Sequence, residues 1–197
     1  MDLIQALAAE LGKDPRHVEN VVHLLDEGNT IPFIARYRKE LHGAMDDTSL
    51  RTLEERLQYL RGLEERREAV KKSIDEQGKL TDELAAAIDS AKTLAEVEDL
   101  YRPYKQKRRT RATIAKEKGL EPLAALLFAQ ERDCPRPEEA ARDFVDPEKG
   151  VETVEDALQG ASDIIAEQIS DDAAIRKSLR ALISRQGQLV SRAATED

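Results

Sequence analysis

The segment from Thr48 to Gln77 has the pattern of one uninterrupted helix, and a helix of this length limits the folds open to the chain. Its leucines recur at the three- and four-residue spacing of a single helix face: Leu50, Leu53, Leu57 and Leu60. At about 1.5 Å per residue the helix would span roughly 45 Å, longer than a small domain is wide. Continued further, the leucine register reaches Glu64, Arg67 and Lys71, so a strut is predicted rather than a coiled coil. The apolar positions instead drift to Leu63, Val70 and Ile74.

Most of the remaining chain has the same helical periodicity, which predicts an all-α fold. Charged residues make up 36% of the chain and aromatic residues 4%, with no tryptophan. This composition is typical of helices with charged outer faces and an aliphatic seam. The predicted organisation is N-terminal helix-turn-helix-like helices (1–46), the long central helix (47–78), helical hairpins with a basic loop (79–130), acidic C-terminal helices (131–190) and the start of a further segment (191–197). The last residues carry no helix stop signal, and we expect them to lead into further domains.

Two short helices, predicted at 15–27 and 31–40, are joined by a glycine-containing turn and have helix-turn-helix spacing. The second helix carries three cationic residues that form a candidate nucleic-acid surface: Arg36, Arg38 and Lys39. Its periodicity predicts a core face made of Phe33, Ile34 and Tyr37. Sequence-specific DNA reading is the poorer interpretation, because the exposed positions lack the Asn, Gln or Ser side chains that bond base edges. An ordinary helical hairpin is the alternative.

A basic cluster interrupts an otherwise acidic chain. The formal net charge is −9, yet residues 102–111 hold six basic side chains and no acidic one. Residues 1–118 contain 22 basic and 23 acidic residues, whereas residues 119–197 contain 9 and 17. Guanidinium groups bind phosphate and a tyrosine ring can stack on a base, so the cluster is a candidate contact for nucleic acid. The candidate residues are Tyr104, Lys105, Lys107, Arg108, Arg109 and Arg111.

The alternative interpretation of this cluster is a solvated loop that neutralises acidic surfaces of the same chain, including those of its own second half. The orientation of the side chains separates the two interpretations. Cations that point outward favour contact with an anionic polymer. Cations that fold back onto the carboxylates of the chain favour an architectural role.

Patterns typical of catalysis or metal binding are weak throughout the chain. Glutamates on the long helix alternate with arginines such as Arg66 and Arg67, which predicts a solvated, salt-bridged face. His17, His23 and His42 lack metal-ligand spacing, and Cys134 has no histidine near it in sequence. We therefore expect a protein that is not an enzyme and needs no metal or cofactor. The lone cysteine, the lack of a leader pattern and the lack of an apolar run of about 20 residues favour a cytoplasmic protein without a membrane segment.

Four long strings are distinctive: GNTIPFIARYRKELHG, LEERLQYLRGLEERRE, IDEQGKLT and DLYRPYKQKRRTRATIAKEKGLEPLA. They resemble the N-terminal region of the Tex family of bacterial transcription accessory proteins, which is related to the eukaryotic Spt-type elongation factors. The resemblance runs from about residue 3 to residue 190. IPFIARYRKE covers residues 31–40, and YKQKRRTRATIA covers residues 104–115.

The resemblance implies a helical scaffold module of a multidomain protein that acts in transcription or RNA metabolism. Members of the family carry an RNase-H-like domain, helix-hairpin-helix segments and an RNA-binding OB-fold domain further along. The implied partners are nucleic acid, RNA more than DNA, and the transcription machinery, and no catalytic residue is implied. The alternative is a protein-interaction or architectural module with no direct nucleic-acid contact.

Overall fold

The computed structural model describes residues 3–106, 108–132 and 134–191, and within these ranges the fold is all-α, as predicted. Their regular structure consists of eleven α-helices and three short 3-10 turns, with one isolated bridge between Asp146 and Val151. No helix in these ranges has the length and apolarity needed to cross a bilayer. The helices are α1 (Leu3–Leu11), α2 (Pro15–Asp26), α3 (Ile31–Tyr37), α4 (Asp47–Asp75), α5 (Asp82–Ser90), α6 (Leu94–Tyr101), α7 (Arg111–Glu117), α8 (Glu121–Ala129), α9 (Pro137–Ala141), α10 (Val154–Asp171) and α11 (Ala173–Gln186).

The chain divides into two compact units, Met1–Leu80 and Thr81–Asp197. The first unit contains α1 to α4, and the second contains α5 to α11. The predicted segments divide the chain more finely, and that finer division stays a prediction. The two candidate cationic surfaces lie in different units, so each is described within its own unit.

The first unit is built around the first half of α4. Helices α1, α2 and α3 each contact α4. Burial of a large aliphatic side chain contributes about 1.5–3 kcal/mol, whereas an exposed ion pair contributes about 0–1 kcal/mol. The aliphatic core therefore holds these helices together. Its largest fully buried side chains are Leu7, Val18, Val21, Ile34, Leu50 and Leu53.

One aspartate side chain caps α4, and another joins α2 to α4. Asp46 accepts a hydrogen bond from the Ser49 amide at 2.7 Å and so caps α4. Hydrogen bonds from the side chain and amide of Ser49 lower the pKa of Asp46. Arg61 donates to both oxygens of Asp26 at 2.7 and 2.8 Å, and this two-bond pair lowers the pKa of Asp26.

Helix α4 matches the predicted strut in length, with 29 residues that extend about 43 Å. Beyond the leucine seam the predicted apolar positions are buried: Leu63, Val70 and Ile74. Arg67 was expected on the solvated face, and that expectation is wrong, because Arg67 is only 5% exposed. Arg67 is four residues after Leu63 and three residues before Val70, so it lies on the same face of α4 as these aliphatic residues. The apolar stem of an arginine can pack there, while its Nη1 donates to Glu64 Oε2 at 2.6 Å.

Helix α3 is shorter than predicted. It ends at Tyr37, and Arg38 leaves the helical region with φ −130° and ψ 32°. The backbone that follows α3 forms a turn, which side chains of α2 bind. Asn20 Nδ2 donates to the Leu41 carbonyl at 3.0 Å, and His17 Nδ1 lies 3.0 Å from the same oxygen. Lys39 therefore lies in a turn and not on the helix.

The turn after α3 depends on Gly43. Its φ is +60°, and a Cβ at this position would lie closer than 3.0 Å to the ring of His17. Any other residue would strain the backbone and displace His17 from Leu41. The neighbouring His42 is 1% exposed, and neither of its ring nitrogens has a hydrogen-bond partner among the described residues.

The second unit is organised around the close packing of α7 against α10. Small residues line both helices where they meet, and these are Ala112, Ala115, Ala157, Gly160 and Ala161. A Cβ at Gly160 would lie closer than 3.0 Å to a δ-methyl of Leu120, a side chain that is only 1% exposed. The close approach of the two helices therefore depends on the missing side chain of Gly160.

Helix α10 begins with a capping box. Thr153 Oγ1 accepts from the Asp156 amide at 3.1 Å, and Asp156 accepts from the Thr153 amide at 3.0 Å, which completes a capping box. Asp172 caps α11 by accepting from the Ile175 amide at 2.7 Å.

Helix α11 is attached through charge more than through a buried core. Asp99 of α6, 4% exposed, accepts from Arg176 at 2.6 Å and from Arg180. Lys177 Nζ lies 2.8 Å from Glu96 and lowers the pKa of that carboxyl group. Four large aliphatic side chains of α11 share one helix face and are exposed: Ile175, Leu179, Leu182 and Ile183.

Candidate nucleic-acid interface

The first candidate surface, here called the α3 patch, consists of aromatic and cationic side chains at the end of α3. Its members are Phe33, Arg36, Tyr37, Arg38 and Lys39. The ring centroids of Phe33 and Tyr37 lie 5.3 Å apart, and the rings are inclined by 46°. The Arg36 guanidinium carbon lies 5.9 Å from the Tyr37 centroid, and that of Arg38 lies 5.3 Å from the Phe33 centroid. The two guanidinium groups thus lie against aromatic rings.

The cations of the α3 patch are not neutralised by neighbouring carboxylates. Across the described residues, no Asp or Glu oxygen lies within 4.0 Å of Arg36, Arg38 or Lys39. Arg38 Nη1 instead donates to the Tyr37 carbonyl at 3.2 Å. Arg36 and Lys39 are exposed, and Arg38 is half-buried. An incoming phosphate would meet these charges without first displacing an acidic group.

The position of Tyr37 differs from the prediction. Helical periodicity predicts that Tyr37 faces the core, and this prediction is wrong, because its side chain is 55% exposed. Ile31 and Ile34 fill the core side of α3 at 3% and 0% exposure, while Phe33 is half-buried. Because α3 ends at Tyr37, this residue lies beyond the last position that packs against the core.

The second candidate surface, here called the basic loop, comprises residues 102–111 between α6 and α7. Lys105 Nζ lies 3.8 Å from Glu98, and Arg109 Nη2 donates to Glu117 at 2.6 Å. Arg108 is exposed and has no ion pair with any described residue. The predicted members of this site in the described ranges are Tyr104, Lys105, Arg108, Arg109 and Arg111, whereas Lys107 lies outside them.

One face of α10 supplies acidic partners to both ends of the basic loop. The three acidic residues follow a four-residue spacing: Asp163, Glu167 and Asp171. The contacts are Arg111 Nη2 to Asp163 at 3.5 Å, the Thr110 hydroxyl to Glu167 at 3.0 Å and Arg102 Nε to Asp171 at 2.8 Å. The acidic second half of the chain therefore balances part of the basic loop within the second unit.

The ion pairs of the basic loop are weak enough to exchange. The side chains of Arg102, Lys105, Arg109 and Arg111 are 44–83% exposed. Exposed pairs of this kind contribute about 0–1 kcal/mol each. A phosphate could replace the carboxylate, but the displaced carboxylate stays close and reduces the gain. The basic loop is thus partly neutralised, whereas the cations of the α3 patch have no carboxylate partner among the described residues.

Sequence reasoning missed the aromatic half of the α3 patch and the acidic face of α10. The four-residue spacing of Asp163, Glu167 and Asp171 is visible in the sequence and could have indicated a charged partner for the loop. Nothing in the sequence indicates that α3 stops after two turns. Within the described ranges, no group of three or more His, Cys, Asp or Glu side chains is arranged to hold a metal ion.

The fold and the two surfaces define an all-α module of two compact units, each of which presents a cationic surface. Comparison with known proteins identifies the family. The model of the Tex-like protein N-terminal domain matches residues 1–75, and the model described as Tex central region-like matches residues 133–197. The chain belongs to the Tex-like protein family.

Three relatives illustrate the extent of the similarity. Protein YhgF of Escherichia coli (strain K12) is 54% identical over 185 residues, which cover 94% of this chain and 24% of that protein. Transcriptional accessory protein Tex of Neisseria gonorrhoeae is 48% identical over 181 residues, covering 91% and 23%. S1 RNA-binding domain-containing protein 1 of Homo sapiens is 32% identical over 173 residues, covering 87% and 17%. The chain thus spans about a quarter or less of the length of these curated relatives.

Proposed function

We propose that this chain is the N-terminal helical scaffold module of a Tex-like transcription accessory protein, and that it assists the binding of nucleic acid, RNA more than DNA, without catalytic chemistry. The names of two relatives support the proposal: one is called a transcriptional accessory protein and another an S1 RNA-binding domain-containing protein. The location of the contact comes from the geometry of this chain.

The observation that carries the proposal is the lack of carboxylate partners around the α3 patch in the described part of the chain. Arg36, Arg38 and Lys39 present three positive charges within one short segment. Contacts of this kind bind the phosphate backbone without reading sequence. A helix of seven residues extends only about 10 Å, so α3 offers little length for reading base edges in a DNA groove.

The basic loop is proposed as a second, weaker contact. Arg108 is free to bind a phosphate directly, in the sense that no described carboxylate pairs with it. Lys105, Arg109 and Arg111 would each have to exchange a carboxylate for a phosphate. Such an exchange becomes favourable when several neighbouring phosphates arrive together on one strand.

Titration of the 197-residue chain with labelled single-stranded RNA and duplex DNA at several salt concentrations tests the proposal. Three phosphate contacts on a single strand correspond to a slope of log K against log salt of about −2, because each contact contributes about −0.7. A triple variant, Arg36→Ala, Arg38→Ala and Lys39→Ala, is expected to weaken RNA binding and to flatten the slope by about 2.

A matched control removes the same number of charges elsewhere in the first unit: Arg16→Ala, Arg51→Ala and Lys72→Ala. Arg16 and Arg51 already pair with Asp14 and Asp47, so this control should change the slope little. If the two triple variants change binding equally, the α3 patch is not a distinct contact. A variant with the five candidate cations of the loop changed to Ala measures the weaker contribution of the basic loop in the same way; these are Lys105, Lys107, Arg108, Arg109 and Arg111.

The second candidate function is an architectural or protein-interaction module with no direct nucleic-acid contact. The ion pairs between the basic loop and the acidic face of α10 favour this second function, because cations of the loop are neutralised by carboxylates of the same chain. If the wild-type chain binds neither the RNA nor the DNA at low salt, the result supports this second function and rejects the first.

A further inference from the structure

Tyr37 is the one aromatic side chain of the α3 patch that is more than half exposed. Its exposure is 55%, and it stands at the last residue of α3, beyond the packed core. The ring contacts Phe33, whose centroid lies 5.3 Å away and which is itself half-buried, and the Arg36 guanidinium carbon lies 5.9 Å from its centroid. An aromatic ring that is supported by neighbours and still more than half exposed offers surface on which a flat group can stack.

Two cations lie close to Tyr37 and could bind the phosphates that neighbour such a group. The Arg36 guanidinium carbon lies 5.9 Å from the Tyr37 centroid. Arg38 is anchored by its bond to the Tyr37 carbonyl at 3.2 Å and by its position 5.3 Å from the Phe33 ring. One guanidinium group therefore lies beside the exposed Tyr37 ring, and the other lies against the neighbouring Phe33 ring. Alternation of aromatic faces with cations is how proteins bind single strands, in which bases are free to stack and phosphates follow at regular intervals.

We propose that Tyr37 is a stacking platform for an unpaired base, and that Arg36 and Arg38 bind phosphates that neighbour this base. This inference rests on the proposed function and names the chemistry of its ligand: single-stranded nucleic acid. A base inside a duplex is stacked on both faces and cannot offer one to Tyr37. A duplex would therefore contact the cationic side chains of the α3 patch and would not stack on the Tyr37 ring.

The test measures binding of three fluorescent probes of equal length: a single-stranded RNA, a single strand made of abasic residues and an RNA duplex. The abasic strand keeps the phosphates and lacks the bases. Tyr37→Ala should weaken binding of the single-stranded RNA roughly 5- to 150-fold, the range measured for losing one base stack. Tyr37→Phe keeps the ring and should stay within about twofold of wild type. Neither variant should alter binding of the abasic strand or of the duplex.

The outcomes separate this inference from the proposed function. If Tyr37→Ala binds the single-stranded RNA like wild type while the triple cation variant loses affinity, the stacking role is overturned and the phosphate contact stands. An equal loss on the RNA and on the abasic strand means that Tyr37 only positions the arginines, which also overturns the stacking role. If the wild-type chain binds none of the probes, both proposals fail. Because Tyr37 is more than half exposed, the variant should fold normally, and circular dichroism of the variant checks this.

Discussion

Two glycines in the middle of helices should respond in opposite ways to the same substitution. Gly62 lies in α4, and a Cβ there would meet nothing within 4 Å. Gly160 lies in α10, where a Cβ would be closer than 3.0 Å to a δ-methyl of Leu120 and 3.2 Å from the Cβ of Ala115. Ala at either position is a better helix former, but only at Gly160 does it collide with a packed neighbour.

The expected magnitudes follow from these two effects. Replacing a helical Gly with Ala stabilises a helix by about 1 kcal/mol, and Gly62→Ala should raise the unfolding free energy by about that amount. Forcing an extra methyl into a packed core costs about 1–3 kcal/mol. Leu120 is 1% exposed and cannot swing into solvent. We therefore expect Gly160→Ala to be destabilising by roughly 1 kcal/mol after its helix preference is subtracted.

Urea unfolding followed by far-ultraviolet circular dichroism measures the sign of each change. Hydrogen exchange with mass spectrometry then locates the change in local stability, which is expected in α4 for Gly62→Ala and in α7 to α10 for Gly160→Ala. A double-mutant cycle isolates the collision. In a Leu120→Ala background the δ-methyl is gone, so Gly160→Ala should become neutral or stabilising, with a coupling of about 1–2 kcal/mol. Stabilisation by Gly160→Ala equal to that of Gly62→Ala would refute the reasoning.

Three further predictions concern buried and charged groups. His42→Leu should leave the thermal midpoint of unfolding unchanged or raise it. The buried imidazole has no hydrogen-bond partner among the described residues, and burying such a group costs about 1–3 kcal/mol. A large fall in the midpoint would contradict this prediction. Asp99→Asn removes the charge that binds Arg176 and Arg180. Amide hydrogen exchange in α11 should therefore accelerate by about tenfold or more, while the amides of α7 and α10 stay protected. Unchanged exchange in α11 would contradict the attachment of α11 through charge. Hydrogen bonds from Arg61 lower the pKa of Asp26 in the folded state. The pair therefore stabilises the folded protein at pH values above the pKa of Asp26 in the unfolded chain, which is near 4. This stabilisation is lost as the pH falls through the pKa of Asp26 in the folded protein. Asp26→Asn should therefore flatten the pH dependence of unfolding below about pH 5, and parallel wild-type and variant curves in acid would rule out this linkage.

The sequence predicted the helical elements well where the signals are local. The length of α4, for example, follows from side chains that recur every three or four residues along the same helix. Helical periodicity also placed Val70 and Ile74 in the buried face. It failed at Arg67, because a simple division into apolar and charged residues does not foresee that the stem of an arginine can fill an apolar position.

The candidate site was predicted in part. The residue types of both cationic surfaces were evident in the sequence, but their relative accessibility was not. Tyr37 was expected in the core from helical periodicity. It is exposed at the last residue of α3, where Ile31 and Ile34 fill the core side and His17 and Asn20 bind the turn that follows. The aromatic ring that the further inference depends on is therefore a product of tertiary contacts.

The sequence by itself determined that this protein is a charged, all-α chain with a long strut, two basic surfaces and the strings of the Tex-like family. These properties follow from composition, from periodicity and from caps, all of which act over short separations. Only the tertiary structure decided which charges remain available to a partner. Arg102 pairs with Asp171 across 69 positions and Arg176 with Asp99 across 77. Contacts over such separations are set by how helices pack, so the charge that a surface presents becomes known only after the chain has folded.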